Sequence, residues 1–145
     1  MKVQIRRLAD DVALPAYQSA GAAAFDLASN EAVVIGPREV RLVGTGLVVA
    51  VPDGHGLVIA ARSSLAMKKG LMLANGIGLV DPDYSGPADE VRLALFNFGE
   101  RPVEVTRGER LAQGLIVATP RVRWEEASIW PSVSRGGFGA TGGYE

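Results

Sequence analysis

Apolar and polar residues alternate through most of this chain, in short runs. Val91, Leu93 and Leu95 point one way while Arg92 and Ala94 point the other, the pattern of a strand with two unlike faces. Strand character, rich in Val, Ile and Leu, marks residues 3–8, 31–35, 40–51, 56–61, 91–97, 103–106 and 111–118. Turn chemistry at Gly36-Pro37, Pro52-Asp53-Gly54 and Phe98-Gly99-Glu100 punctuates them. Many short strands at this spacing predict an all-β fold, a distorted jelly roll or barrel, rather than a doubly wound sheet.

One segment departs from the alternation. Ser63-Ser64-Leu65-Ala66-Met67-Lys68-Lys69-Gly70 has serine at an N-cap, good helix formers inside, lysines near the end and glycine just past it. It predicts about two turns of helix. Its N-terminus would offer unpaired amides and the positive dipole end to an anion, with Arg62 beside it. Taken alone, the segment fits a connector helix with solvated lysines better, because any helix start offers such amides.

The last eleven residues, Arg135-Gly136-Gly137-Phe138-Gly139-Ala140-Thr141-Gly142-Gly143-Tyr144-Glu145, carry no apolar period. Glycine loses the most backbone freedom on ordering, so this flexible tail has no fold of its own. Two readings stay open for it: a frayed terminus, or a lid that orders on a ligand. The chain divides accordingly into a β domain over 1–134 and a glycine-rich tail over 135–145.

Composition narrows the function. At 145 residues there is room for one domain with a real core. A net charge of -1 leaves no basic field for a nucleic-acid polymer, though a small anion can still be held locally. Without cysteine there are no disulfides and no thiolate zinc sites. The N-terminus alternates instead of forming an apolar signal core, and no apolar run is long enough to span a membrane. The expected location is the cytoplasm. The single histidine, His55, lies in the turn Asp53-Gly54-His55-Gly56 and reads as solvated, which leaves carboxylates as candidate general bases.

Five stretches, in order and spanning almost the whole chain, resemble the trimeric dUTP diphosphatase (dUTPase) family. They are Ala20-Gly21-Ala22-Ala23-Ala24-Phe25-Asp26-Leu27, then Arg62-Ser63-Ser64-Leu65-Ala66, then Asn75-Gly76-Ile77-Gly78-Leu79-Val80-Asp81-Pro82-Asp83-Tyr84-Ser85-Gly86. Gly108-Glu109-Arg110-Leu111-Ala112-Gln113 and the tail Gly136-Gly137-Phe138-Gly139-Ala140-Thr141-Gly142 complete the set. The resemblance implies hydrolysis of dUTP to dUMP and pyrophosphate with Mg²⁺ by a homotrimer.

It also implies residue roles. Asp81 would activate the attacking water. Residues 75–84 would form a hairpin whose backbone, with Asn75 and Gly78, reads uracil, and Tyr84 would lie under the deoxyribose. Phe138 would cover the base. Arg62, Ser63, Ser64, Gln113, Arg135, Ala140 and Thr141 would hold the phosphates. Asp26 would support the hydration shell of the metal, unless it only forms an Asx turn, and the metal would have no direct protein ligand.

Three departures from the family pattern stand out. Ser64 replaces the usual glycine of the second motif. Gly86-Pro87-Ala88-Asp89-Glu90 carries about three extra residues, a surface bulge or longer turn, counted against that pattern. Arg135 stands closer to the tail glycines than is usual.

Two rival readings are weighed against this one. A dCTP deaminase of the same fold shares an Arg-Ser-Ser-Leu-Ala motif, but needs a carboxylate where this chain has Ala94. A non-catalytic nucleotide-binding module is disfavoured by the complete set of motifs.

Overall fold

The structure, a computed structural model, describes residues 1–134 and 136. The tail positions Arg135, Phe138, Ala140 and Thr141, and the lid reading built on them, lie outside the described residues. Eleven strands and one short helix follow in order: β1 Gln4–Arg7, β2 Phe25–Ala28, β3 Val33–Ile35, β4 Val40–Gly44, β5 Leu47–Ala50, β6 His55–Ala61, α1 Leu65–Lys69, β7 Leu71–Leu73, β8 Gly78–Val80, β9 Arg92–Asn97, β10 Val103–Val105 and β11 Arg110–Ala118. The all-β expectation with one short helix is met.

Four small antiparallel sheets wrap one apolar core. They are β1-β5, β10-β3, β2-β11-β6-β8 and β4-β9-β7. The alternation read along 91–95 is realised: Val91, Leu93 and Leu95 are buried while Arg92 is exposed. Leu27, Ile35, Leu57, Leu71 and Leu111 join them, each fully buried, one from each of several strands. Burying one such side chain contributes on the order of 1.5–3 kcal/mol, so these positions hold the sheets together.

Two expectations are corrected. Residues 40–51 do not form one strand. The chain breaks at Thr45-Gly46, where Gly46 takes φ 69, and β4 and β5 enter different sheets. Residues 75–84 do not fold back as a hairpin. β7 pairs with β9, and β8 pairs with β6, so 74–77 crosses between sheets. A glycine turn looks the same in sequence whether its flanking strands pair with each other or part.

Helix α1 is shorter than expected, at five residues. Ser64 is its N-cap but makes no side-chain cap bond, and Gly70 closes it in the left-handed conformation at φ 65. Lys69 is not solvated as expected. Its Nζ pairs with Glu109 at 2.7 Å, and Glu109 also accepts from the N–H of Thr106. That pair docks the helix onto the turn before β11.

Beyond Ala118 the described chain has no regular element. Trp124 and Trp130 are 93% and 79% exposed on this stretch, with Val122, Ile129 and Val133 also outside the core. No helix is long and apolar enough to cross a membrane among the described residues.

Candidate active site

The sheet β2-β11-β6-β8 carries nearly every described residue singled out in the sequence, at two separate ends. The first end lies where β6 finishes. Gln113 on β11 faces Asp26 on one side and Ala60 on the other, so register brings β2, β11 and the exit of β6 together. Phe25 crosses the sheet over Gly114, where an added Cβ would meet the ring at 2.7 Å. The Phe25 ring also meets Tyr17 edge to face at 5.9 Å.

Asp26 is the hub of this corner. Its Oδ1 meets Arg62 Nε at 3.4 Å and its Oδ2 accepts from Arg110 Nη1 at 3.0 Å. The carboxylate is only 11% exposed, so the two guanidinium groups balance a charge that burial disfavours. Arg62 Nη1 donates to the Arg110 carbonyl at 3.4 Å, and Gln113 Nε2 donates to the Ala61 carbonyl at 3.2 Å. Arg62 is left about one-third exposed, oriented but not consumed.

The turn after Arg62 adds donors. The N–H of Leu65 reaches the Arg62 carbonyl at 2.9 Å, while those of Ser63 and Ser64 have no acceptor among the described residues. A five-residue helix has little macrodipole. The anion-binding capacity of this corner therefore comes from two individual amides and a guanidinium, not from a helix end. Arg110 belongs to the same corner. Its motif was noticed in the sequence but its role was not, and the signal was its place three residues before Gln113 on one strand.

The second end lies at the opposite edge of the sheet. Strand β8 pairs with β6 on one side only, with Gly78 opposite Ile59 and Val80 opposite Leu57. Its outer edge has no strand partner among the described residues, so backbone donors and acceptors are free there. Gly78 packs tightly. An added Cβ would lie 3.1 Å from Ile59 Cβ, a contact that Ile59 would have to yield to by a few tenths of an ångström. Asn75 is exposed in the crossover, and the N–H of Ile77 donates to its carbonyl at 2.8 Å.

Asp81 follows β8 directly and is exposed. It opens onto a shallow cleft shared with Leu79, Pro82, Asp83, Thr119, Arg121 and the Asp53–Gly56 turn. His55 lines the same cleft, with Nδ1 3.0 Å from the Asp53 carbonyl. It begins β6 rather than lying in the turn, and is half-buried. Tyr84 sits in the following loop, 43% exposed, with its hydroxyl donating to the Glu90 carbonyl at 3.2 Å.

These two ends do not meet within one chain. Asp81 lies beside the start of β6 and Arg62 beyond its finish, a separation of roughly 20 Å at ~3.3 Å per residue. That is too far for both to act on one phosphoryl group. Ala94 is half-buried in β9 opposite Leu42, and no carboxylate stands at that position.

Elsewhere, Arg107 bonds Asp11 at 2.7 Å and Asn30 at 3.0 Å. The side-chain hydrogen bond from Arg107 holds the Asp11 carboxyl below its ordinary range.

Comparison with known proteins gives one consistent answer. A protein-family model described as dUTPase matches residues 10–142. The deoxyuridine 5'-triphosphate nucleotidohydrolase of Hydrogenobaculum sp. (strain Y04AAS1) is 40% identical over 145 residues, covering 98% of this chain and 99% of that protein. The protein of the same name from Methylocella silvestris is 43% identical, covering 98% and 92%. Among solved structures, the dUTPase of Streptococcus mutans superimposes with a TM-score of 0.78 at 29% identity, covering 86% of this chain and all of that one. A Staphylococcus bacteriophage 80alpha dUTPase with dUPNHPP reaches a TM-score of 0.85 at 22% identity, which shows a shared fold.

Proposed function

The chain belongs to the dUTPase family, and from that premise we propose that it hydrolyses dUTP to dUMP and pyrophosphate in the cytoplasm, at sites shared between the subunits of a homotrimer. Such an activity limits uracil incorporation into DNA and supplies dUMP for thymidylate synthesis. The observation that carries this reading is the exposed Asp81 carboxylate at the end of a strand whose outer edge is free. A free strand edge offers alternating N–H and C=O groups, which match the acceptor–donor edge of uracil as a pairing strand would. Asp81 then stands beside the bound nucleotide, where it takes the proton of the water that attacks the phosphorus.

The phosphates need the other corner. Arg62 forks onto phosphate oxygens with the amides of Ser63 and Ser64, and Gln113 adds a neutral donor. The roughly 20 Å between the two ends supports a site in which Asp81 comes from one subunit and Arg62 from another. The exposed Trp124 and Trp130 support the same assembly, since large apolar groups on an extended arm suit a neighbouring chain. In this reading the tail closes from a further subunit, with Phe138 over the base and Arg135, Ala140 and Thr141 at the outer phosphates.

In this reading Mg²⁺ enters as a companion of the triphosphate. Among the described residues there is no group of three or more His, Asp or Glu able to hold a metal. Asp26, the carboxylate assigned to its hydration shell, already accepts from two arginines. When bound, the ion would neutralise phosphate charge through phosphate oxygens and waters.

Tyr84 excludes a ribose 2′-hydroxyl, and the strand edge excludes a methyl at C5 of the base. The test is pyrophosphate release with Mg²⁺ from dUTP, dTTP, dCTP and UTP in parallel. Strong preference for dUTP is expected. Comparable turnover of dTTP would overturn the base-reading assignment, and ammonia released from dCTP would favour a deaminase.

A further inference from the structure

The segment of about three extra residues between Gly86 and Glu90 is not a loose bulge. Gly86 donates its N–H to Asp89 Oδ2 at 2.7 Å, and Asp89 returns its own N–H to the Gly86 carbonyl at 3.1 Å. The two bonds close a tight turn. Glu90 then anchors it. Its carboxylate is 13% exposed, and it accepts from the N–H of Gly46 at 2.7 Å and from Arg92 Nε at 3.0 Å. Gly46 sits in the break between β4 and β5, at the positive φ already noted. A Cβ added at the neighbouring Gly44 would lie 2.5 Å from Glu90 Oε1, so the backbone has made room for this carboxylate. Val91, the next residue, is bonded into the same break through Thr45 and Leu47.

The chain of contacts continues to Tyr84. The Glu90 carbonyl accepts the Tyr84 hydroxyl, and the Tyr84 N–H donates to the Asp81 carbonyl at 3.2 Å. The tyrosine is thus held at its backbone by the Asp81 turn and at its far tip by the Glu90 carbonyl, whose residue is tied to the β4–β5 break through Gly46. A ring held at one end only would swing about χ1 and χ2.

We propose that the 86–90 turn is a positioning device that locks the Tyr84 ring beside Asp81, and that this lock sets discrimination between 2′-deoxy and 2′-hydroxy nucleotides. Asp89 and Glu90 are positioning residues, acting through Tyr84. The inference rests on the reading of Tyr84 as the sugar-facing group. Rejection of a 2′-hydroxyl by a clash demands a ring that cannot retreat, which an unanchored tyrosine does not provide.

The experiment measures kcat/KM for dUTP and for UTP in full-length Asp89→Ala, Asp89→Asn, Tyr84→Phe and Tyr84→Ala. Asp89→Ala and Tyr84→Phe are each expected to lower the dUTP-to-UTP ratio about 3- to 10-fold, the worth of one hydrogen bond. UTP turnover rises in both. Asp89→Asn keeps an acceptor for Gly86 and should restore the parental ratio. Tyr84→Ala should lower the ratio further than either. If Asp89→Ala and Tyr84→Phe keep the parental ratio while Tyr84→Ala lowers it, the lock is overturned and the sugar-facing role of Tyr84 survives. If Tyr84→Ala also keeps the parental ratio, that role fails and the lock with it. A ratio in Asp89→Asn as low as in Asp89→Ala would overturn the assignment of the Asp89 acceptor.

Discussion

At one end of the four-stranded sheet, Asp26 holds Arg62 and Arg110 through its carboxylate, and Gln113 on the neighbouring strand bonds the Ala61 carbonyl. At the other, Asp81 stands exposed after a strand with one edge free, and its loop is held by side chains, Tyr84, Asp89 and Glu90, on backbone partners. The first end is pre-organised for charge and the second for shape. A guanidinium fixed by a half-buried carboxylate loses little freedom when it meets a phosphate. A free strand edge tells bases apart by position, because each N–H and C=O is set by the sheet behind it. The two ends should therefore fail differently when altered.

The largest effect is expected at the exposed end. Asp81→Asn should preserve the fold, because the side chain takes no part in the core, and should cut kcat by about 10²–10⁴-fold. Asparagine holds a water but cannot take its proton. Steady-state kinetics with binding of a non-hydrolysable dUTP analogue checks this, and a rate within a few-fold of the parent would remove Asp81 from the role of base.

The charged end should show itself in binding as well as rate. Arg62→Ala removes a charge-assisted donor worth about 1.5–3 kcal/mol, so kcat/KM should fall on the order of 10- to 100-fold, with KM raised. It also leaves Asp26 with Arg110 alone. Arg62→Lys should recover part of the loss, since it restores charge without the fork. An unchanged KM in both would show that this corner does not touch the substrate.

Ser64→Gly should do the least. Ser64 makes no side-chain cap bond and sits at φ -90, so neither the helix nor the backbone depends on its side chain. Its N–H is what the phosphate corner uses. A change in Tm of more than a few degrees, or in kcat/KM of more than about 3-fold, would show that the hydroxyl has a contact of its own.

Much of this contrast was legible in the amino-acid order. The alternation at 91–95 marks the inner and outer faces of β9 correctly, and Gly70 closes the helix as its position predicts. Asp81 was singled out through the resemblance of residues 75–86 to the dUTPase family. Pairing was not legible. The residues of 75–84 read as a hairpin because a local turn is visible in sequence, whereas the choice of β6 as partner rests on contacts made across the fold. The break at Thr45-Gly46 was hidden by the apolar run around it. Arg110 and Glu90 were passed over for the same reason. Their partners, Asp26 and Gly46, stand far away along the chain.

The claim that these two ends are completed by different subunits has a direct test. Asp81→Asn and Arg62→Ala chains are co-refolded in equal amounts, and trimers carrying both kinds of chain are verified by mass. If each site takes Asp81 from one chain and Arg62 from another, random mixing gives about a quarter of sites with both residues intact, by the symmetry of the assembly. The account predicts dUTP hydrolysis recovering toward that fraction of the parental rate, far above either variant alone. Verified mixed trimers with no activity beyond the average of the two variants would contradict it, and would place Asp81 and Arg62 at the same site of a single chain.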